Sequence, residues 1–284
     1  MDNYNFTIQL SNNDFKKLRD LVYKNSGINL QEDKMSLMSA RLGSILRSRK
    51  INSYSDYYDL VQKDESGQEL IILLDAMTTN QTYFFREINH FNFLKDNILP
   101  EIIEIKKKLH DNKISLWSSA CSSGEEPYSM ALTIKDYFTK NIQNINWTLN
   151  ILATDLSTRM LKKAEAGIYH KNEFAKVQDH LIKQFFQYGV DQWKDYLRVK
   201  KDIRNIINFK RLNLLENWNQ LGSFDIIFCR NVLIYFDRNS QEKLIYKFYN
   251  QLNPNGYLII GHSESLFNVK HKFKYIKPTI FKKH

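Results

Sequence analysis

The 284-residue chain has only two cysteines, Cys121 and Cys229. Two thiols are too few for a disulfide framework and fit a reducing compartment. No histidine close to Cys121 in the sequence supports a nucleophilic role, so both are taken as small packing residues. No run approaches the roughly 18 apolar residues of a membrane span, and the opening MDNYNFTIQL lacks the basic region and cleavage site of a secretory leader. A cytoplasmic protein is therefore expected. Internal repeats and low-complexity tracts are missing too, and 43% apolar residues are ample for a core, so disorder is not expected.

A further absence bears on the ligand. The stretch LWSSACSSGEEPYSMAL, Leu116 to Leu132, reads as a buried strand, a small-residue loop and a helix start. Ser122, Ser123 and Gly124 would let backbone approach a ligand, and Pro127 suits a first helical turn. Glu125 and Glu126 stand beside that helix N-terminus, where the macrodipole favours negative charge. The loop has one glycine where a pyrophosphate loop would carry G-x-G-x-x-G, which disfavours a dinucleotide and hence a dehydrogenase.

Acidic residues are scarce in two places. Lys34, Arg41, Arg47, Arg49 and Lys50 span 34–50 without an acid, and Lys270, Lys272, Lys274, Lys277, Lys282 and Lys283 do the same at the C-terminal end of a chain with net charge +10. Solvated faces and a surface for an acidic partner, nucleic acid included, are both open readings.

Residues 1–76 carry only helical patterns. Ser11 with Asp14 makes a capping box before Phe15, Leu18 and Val22, and Gly27 follows as a C-cap; a second helix holds Met38, Leu42 and Leu46, Ser53 and Asp56 open a third with Tyr57 and Val61, and a fourth holds Leu70, Leu73, Leu74 and Met77. The segment TTNQTYFFRE, Thr78 to Glu87, breaks the helical period and reads as a connection, within 77–90, whose Phe84 and Phe85 dock onto a core. A helix over Phe91 to Lys108 follows. From there, over 91–284, strands and helices alternate, which predicts a wound, mainly parallel sheet. The strands expected are Ile114–Ala120, Leu149–Thr154, Ile206–Leu212, Phe224–Cys229, Gly256–Gly261 and an antiparallel last strand, Tyr275–Phe281. The roughly fifty residues between Asp155 and Ile206 exceed the dozen or so that a crossover needs, so a small β-subdomain is read into about 168–204.

In such a sheet ligands gather beyond the carboxyl ends of the strands. Those ends carry the serine-glycine loop, Asp155, Asn213 and the Cys229-Arg230-Asn231 run. An acid closing the second strand has the geometry to accept from both ribose hydroxyls, or serves as a helix cap. With Glu125 or Glu126 available for an ammonium group, S-adenosylmethionine is the leading ligand.

TTNQTYFFRE, WSSACSSGEEPYSMA, ILATDLS, FDIIFCRNVLIYFD and GHSESL, in this order, resemble the motifs of the CheR-type chemotaxis receptor glutamate methyltransferases. The resemblance implies a Rossmann-like α/β methyltransferase sheet behind an all-α N-terminal domain. It further implies methyl transfer from S-adenosylmethionine onto receptor glutamates, giving methyl esters and S-adenosylhomocysteine, with no metal. By motif position it implies cofactor contacts at Asn80, Thr82, Arg86, Ala120, Glu125 or Glu126, Asp155, Asn213, Leu214, Arg230 and Asn231, and places Arg86 and Tyr235 nearest the reacting groups. As partners it implies the acidic methylation helices of chemotaxis receptors, met by a monomer through the basic 34–50 helix, and in some members a receptor C-terminal peptide bound by strand addition at the subdomain. Two rivals share this fold: a methyltransferase for another substrate such as RNA, which lacks an identifiable aromatic-rich basic surface, and a non-catalytic receptor-binding module.

Overall fold

The computed structural model describes residues 8–141, 147–218 and 220–284. The first seven residues, part of the stretch read for a leader, lie outside that range. Contacts group the chain into two units, one formed by Met1–Thr79 with Tyr235–Asp237 and the other by Asn80–Ile234 with Arg238–His284.

The first unit is helical: α1 (Asn12–Ser26), α2 (Met35–Arg49), α3 (Tyr54–Lys63) and α4 (Gln68–Met77). Its caps are those the sequence spells out. Ser11 accepts from the Asp14 N–H at 3.1 Å, Ser53 from the Asp56 N–H at 3.0 Å, and Gly27 closes α1 at φ 73°, a conformation cheap only for glycine. Phe15, Leu18, Val22, Met38, Leu42, Leu46, Leu73 and Leu74 fill the core. One expectation changes. Arg41 does not extend from the basic helix toward a partner: its guanidinium donates to the carbonyls of Ala76, Met77 and Thr78 at 2.9 to 3.2 Å and to the Thr79 hydroxyl. Those are the orphan acceptors at the end of α4, so Arg41 is a helix cap supplied from another helix. Arg49 is similarly engaged by Glu69 at 2.8 Å, while Lys34, Arg47 and Lys50 are exposed.

The second unit opens with the 80–87 segment and α5 (Ile88–Phe93), which runs through a π turn at Leu94–Ile98 into α6 (Leu99–Lys108). The wide turn has a local cause: Pro100 has no N–H to give to the carbonyl four residues back. The chain then alternates through β1 (Lys113–Ser118), α7 (Glu125–Asn141), β2 (Thr148–Asp155) and α8 (Thr158–Ala166). Next comes an insertion of β3 (Ile168–His170), α9 (Asp179–Phe185), β4 (Phe186–Tyr188), β5 (Tyr196–Val199) and α10 (Lys201–Arg204). It closes with β6 (Ile207–Arg211), β7 (Phe224–Cys229), α11 (Arg238–Gln251), β8 (Leu252–Ile260), β9 (Lys274–Lys277) and β10 (Ile280–Lys282).

The main sheet has the order β6-β2-β1-β7-β8-β10-β9; the first five strands are parallel, and β10 is antiparallel to both β8 and β9. The single last strand expected from sequence is two strands, because Pro278 cannot donate to a ladder and Thr279 turns at φ 66°. The insertion folds as a separate antiparallel sheet, β3-β5-β4. β7 is buried throughout, and β1 is buried from Leu116 to Ser118 where it pairs with β7, as parallel strands covered on both faces must be. Among the described residues no helix is long and apolar enough to cross a membrane.

Candidate functional site

Strand order reverses between β1 and β7: the chain runs β1, β2, β6 to one side and returns to start β7, β8 on the other. The residues singled out from sequence in the second unit gather around the carboxyl ends of these strands.

The loop after β1 is fixed from three directions. Ser119 N–H donates to the Phe228 carbonyl at 2.9 Å, Cys121 N–H to the Thr154 carbonyl at 2.9 Å, and Ser122 N–H to Asp155 Oδ2 at 2.7 Å. Ser122 is held at φ 48°, a left-handed conformation uncommon outside glycine. Asp155 Oδ1 accepts from the Ser157 N–H at 2.9 Å, while the cap of α8 is Ser157 itself, whose hydroxyl accepts from Met160 N–H. Asp155 is therefore a brace between the β1 loop and the start of α8. Gly124 has a different use from the one expected. At φ 98° its missing Cβ faces protein, since a built Cβ would lie 2.8 Å from Ala164 Cβ and 2.9 Å from the Tyr169 hydroxyl. The glycine admits α8 and the inserted sheet rather than a ligand.

The paired glutamates part company. Glu125 is fully buried; both its oxygens accept from the Ser123 hydroxyl, and the Lys163 ammonium stands 3.9 Å away. It faces α8 and the insertion. Glu126 points to the reversal between β1 and β7, accepting from the Ser118 hydroxyl at 2.7 Å and from Arg230 at 2.9 Å. Burial pushes both carboxyls above the usual range, against the pull of Ser123 and Lys163 on Glu125 and of Arg230 on Glu126.

Arg230 is buried between the rings of Phe91 and Phe228 and shares one positive charge between Glu126 and Glu87, the latter at 3.0 Å, while also donating to the Arg86 carbonyl. Its side chain thus welds the end of β7 to the 80–87 segment and to α7. Burial raises Glu87, but the Arg230 guanidinium outweighs it and the carboxyl ends below its ordinary value. Asn231, at φ 57°, donates from Nδ2 to Glu87 at 3.3 Å.

The 80–87 segment is anchored by its aromatics. Phe84 packs against Tyr169, Phe174 and Phe186 with centroids 4.9 to 5.8 Å away, and Phe85 against Phe91 at 5.3 Å. Burying each ring stabilises by about 2 kcal/mol. Between them and α5 the backbone is bent back twice, at Phe85 (φ 55°) and Glu87 (φ 60°), leaving Arg86 half-buried, its guanidinium donating to the Gln81 carbonyl at 2.6 Å. The Asn80 carbonyl accepts from the Ser122 hydroxyl at 3.2 Å, and Thr82 and Ala120 are half-buried. At the end of β6, Asn213 and Leu214 are buried, and the Asn213 side chain accepts from Leu215 N–H. Tyr235 alone among the candidates groups with the helical unit, where its carbonyl accepts from Asn29 N–H at 2.9 Å.

Two features of the site are not among the residues that the sequence singles out. The carboxylate of Glu264, in the GHSESL run, collects four backbone N–H groups, and Gly261 leaves no room for a side chain beside it. The place of Glu264 within a recognisable motif was the signal that could have found it. The second is the His-Glu cluster of Glu87, His90 and His262, whose ligand atoms lie within 4.8 Å of one another. It does not fit a metal: Glu87 Oε2 already accepts from Arg230 and from the His262 N–H at 3.1 Å, which sets a guanidinium against any cation there. Burial lowers His90 to about 3, so this imidazole is neutral; its Nε2 pairs with the Thr279 hydroxyl at 2.7 Å, and Nδ1 stands 3.4 Å from Glu87 without a hydrogen bond.

Two family descriptions match the chain: "CheR methyltransferase, all-alpha domain" over residues 13–78 and "CheR methyltransferase, SAM binding domain" over 80–282. The chain is 38% identical over 282 residues to a chemotaxis protein methyltransferase of Borreliella burgdorferi, covering 99% of this chain and 98% of that one. Chemotaxis protein methyltransferase 1 of Pseudomonas aeruginosa is 36% identical, with 94% and 95% covered, and the Escherichia coli chemotaxis protein methyltransferase 32%, with 96% and 92% covered. With an α/β unit whose charged residues converge where strand order reverses, and with these matches along nearly its whole length, the chain belongs to the CheR methyltransferase family.

Proposed function

We propose that the protein transfers the methyl group of S-adenosylmethionine to glutamate side chains of methyl-accepting chemotaxis receptors, forming glutamyl methyl esters and S-adenosylhomocysteine. The observation that carries the cofactor assignment is the charge imbalance at the strand-order reversal. Two carboxylates, Glu87 and Glu126, share the single buried charge of Arg230, so the site is set for a further cation. An ammonium or sulfonium fits that deficit. Glu126 is the assigned partner of the ammonium, because it faces the reversal while Glu125 faces the insertion. Asp155, braced by two backbone N–H groups, is assigned to the ribose hydroxyls. Asn80, Thr82, Ala120, Asn213, Leu214 and Asn231 would line the remainder, and the Arg230 contribution would come through its backbone, since its guanidinium is committed to protein.

When bound, S-adenosylmethionine supplies an electrophilic methyl group. A glutamate with a pKa near 4.3 is already ionised at neutral pH, so the protein needs to orient the nucleophile rather than deprotonate it. Arg86 is suited to that role. Its guanidinium makes one hydrogen bond among the described residues, and the two left-handed residues beside it fix where the side chain leaves the backbone. Holding the acceptor carboxylate through Arg86 also draws charge from it, so positioning must outweigh that loss. For Tyr235 the assignment rests on its place in the FDIIFCRNVLIYFD motif. Exposed Lys34, Arg47 and Lys50 are assigned to acidic receptor helices.

Incubation with methyl-labelled cofactor and receptor cytoplasmic fragments, followed by mild alkali, tests the activity. Label on glutamate that alkali releases is expected. Alkali-stable label, or no transfer while S-adenosylhomocysteine still binds, would overturn the substrate assignment.

A further inference from the structure

Glu264 follows the end of β8 by four residues and touches no candidate for direct ligand contact except through backbone. Oε2 accepts from Asn231 N–H at 2.9 Å and Gly261 N–H at 2.6 Å; Oε1 accepts from Val232 N–H at 2.8 Å and Leu233 N–H at 2.7 Å. The residue is 7% exposed. A buried carboxylate with four N–H partners and no cation among its hydrogen-bond partners is unusual, since buried charge is ordinarily paired.

We propose that Glu264 is a positioning residue for cofactor binding, holding the Arg230–Leu233 loop in its binding geometry; this rests on the cofactor assignment above. Three observations carry it. Asn231 sits at φ 57°, in the left-handed region that is uncommon outside glycine and asparagine, and its N–H is one of the four that Glu264 holds. Gly261 is the second half of the lock: a Cβ there would stand 2.6 Å from Asn231 Nδ2 and 2.9 Å from both Asn231 N and Glu264 Oε2. The locked Asn231 then reaches Glu87 through Nδ2, and Arg230 beside it bonds Glu87 and the Arg86 carbonyl. A turn at 261–264 therefore sets the mutual register of two segments distant in sequence, 80–87 and 230–233, both of which carry assigned cofactor contacts.

The chemistry requires a carboxylate. Four N–H donors need two acceptor oxygens, and a glutamine supplies one, turning its amide N–H bonds against two of the donors. An aspartate keeps the charge but falls one methylene short.

Calorimetric titration with S-adenosylhomocysteine of the wild type, Glu264→Gln and Glu264→Asp gives the test, with Michaelis constants for S-adenosylmethionine and for a receptor fragment measured alongside. The expected result is a Kd raised at least about tenfold in both variants with stoichiometry near one, and a matching rise in the Michaelis constant for cofactor but not for receptor. An unchanged Kd with reduced stoichiometry would show that Glu264 only holds the fold, and would overturn the proposal alone. No binding by the wild type would overturn the cofactor assignment and this proposal with it. If neither variant folds, hydrogen exchange on the wild type decides. Amides 231–233 equally protected with and without S-adenosylhomocysteine support a preset loop, and solvent-rate exchange in the free protein overturns it.

Discussion

The two edges of the main sheet handle buried charge in opposite ways. At the amino end, Asp225 is met by the Lys106 ammonium at 3.1 Å, the Ser115 N–H at 2.8 Å and Asn253 at 2.8 Å; one buried acid faces one buried base, and Asp111 adds a half-exposed partner at 2.8 Å. At the carboxyl end, Glu87, Glu125, Glu126, Asp155 and Glu264 are buried or nearly so, against one buried cation, Arg230. Left-handed backbone occurs at both ends, at His110 and Asn255 on the amino side, but on the carboxyl side Phe85, Glu87, Ser122 and Asn231 are themselves members or neighbours of the charged cluster. A balanced ion pair needs nothing more than the fold. An unbalanced one, held by strained backbone, is the condition of a surface waiting for a charged ligand.

Removing the buried cation should break that contrast most severely. Arg230→Ala leaves Glu87 and Glu126 facing each other without a counter-charge, and is expected to lower unfolding free energy by about 3–5 kcal/mol and abolish S-adenosylhomocysteine binding. Lys106→Ala at the other edge should cost about 3 kcal/mol in denaturant unfolding but leave the Kd of the folded protein unchanged. If Lys106→Ala also weakens binding, the edges are not functionally distinct.

Arg86 offers the converse case, a half-buried arginine whose guanidinium bonds the nearby Gln81 carbonyl and, among the described residues, pairs with no carboxylate. Arg86→Ala should lower kcat about 100-fold while shifting Tm by no more than about 2 °C. A large loss of stability would show that its hydrogen bond to the 81 carbonyl is structural.

The carboxyls of Glu125, Glu126 and Glu264 are raised in the folded state, chiefly by burial. The folded chain then holds more protons than the unfolded one above the ordinary glutamate range. Their contribution to stability is present at low pH and declines as pH rises through the raised values. A cation beside Glu126 favours its ionised form, so S-adenosylmethionine affinity should fall, by up to about tenfold per pH unit, as pH drops toward about 4.5. Titrations from about pH 7 downward check the sign; affinity that rises on acidification would contradict it.

The smallest effect expected is in the helical unit. Arg47→Glu should raise the Michaelis constant for receptor by about threefold without touching that for cofactor. Arg41→Glu should instead destabilise α4, because Arg41 caps it, and so cannot report on receptor docking.

Much of this was legible in the chain because it is local. Helix caps at Ser11, Ser53 and Gly27, the parallel strands, the long interval holding the inserted sheet and the strand-end residues all follow from patterns a few residues long. What escaped depends on partners far apart in sequence. Arg230 meets Glu126 across 104 residues and the Arg86 carbonyl across 144, so nothing near Arg230 announces that its side chain belongs to the fold. Gly124 reads as ligand clearance until Ala164 and Tyr169 are seen against it. Glu125 and Glu126, adjacent and chemically identical, are told apart by helix phase, one turning toward the insertion and the other toward the reversal between β1 and β7, and the proposed choice of Glu126 rests on that difference.

That choice gives the most direct test of a carboxyl edge built for a cation. S-adenosylmethionine titrated calorimetrically into the wild type, Glu125→Gln and Glu126→Gln should show binding weakened at least about tenfold by Glu126→Gln and less than about threefold by Glu125→Gln. Unchanged affinity in Glu126→Gln, or the larger loss in Glu125→Gln, would contradict it.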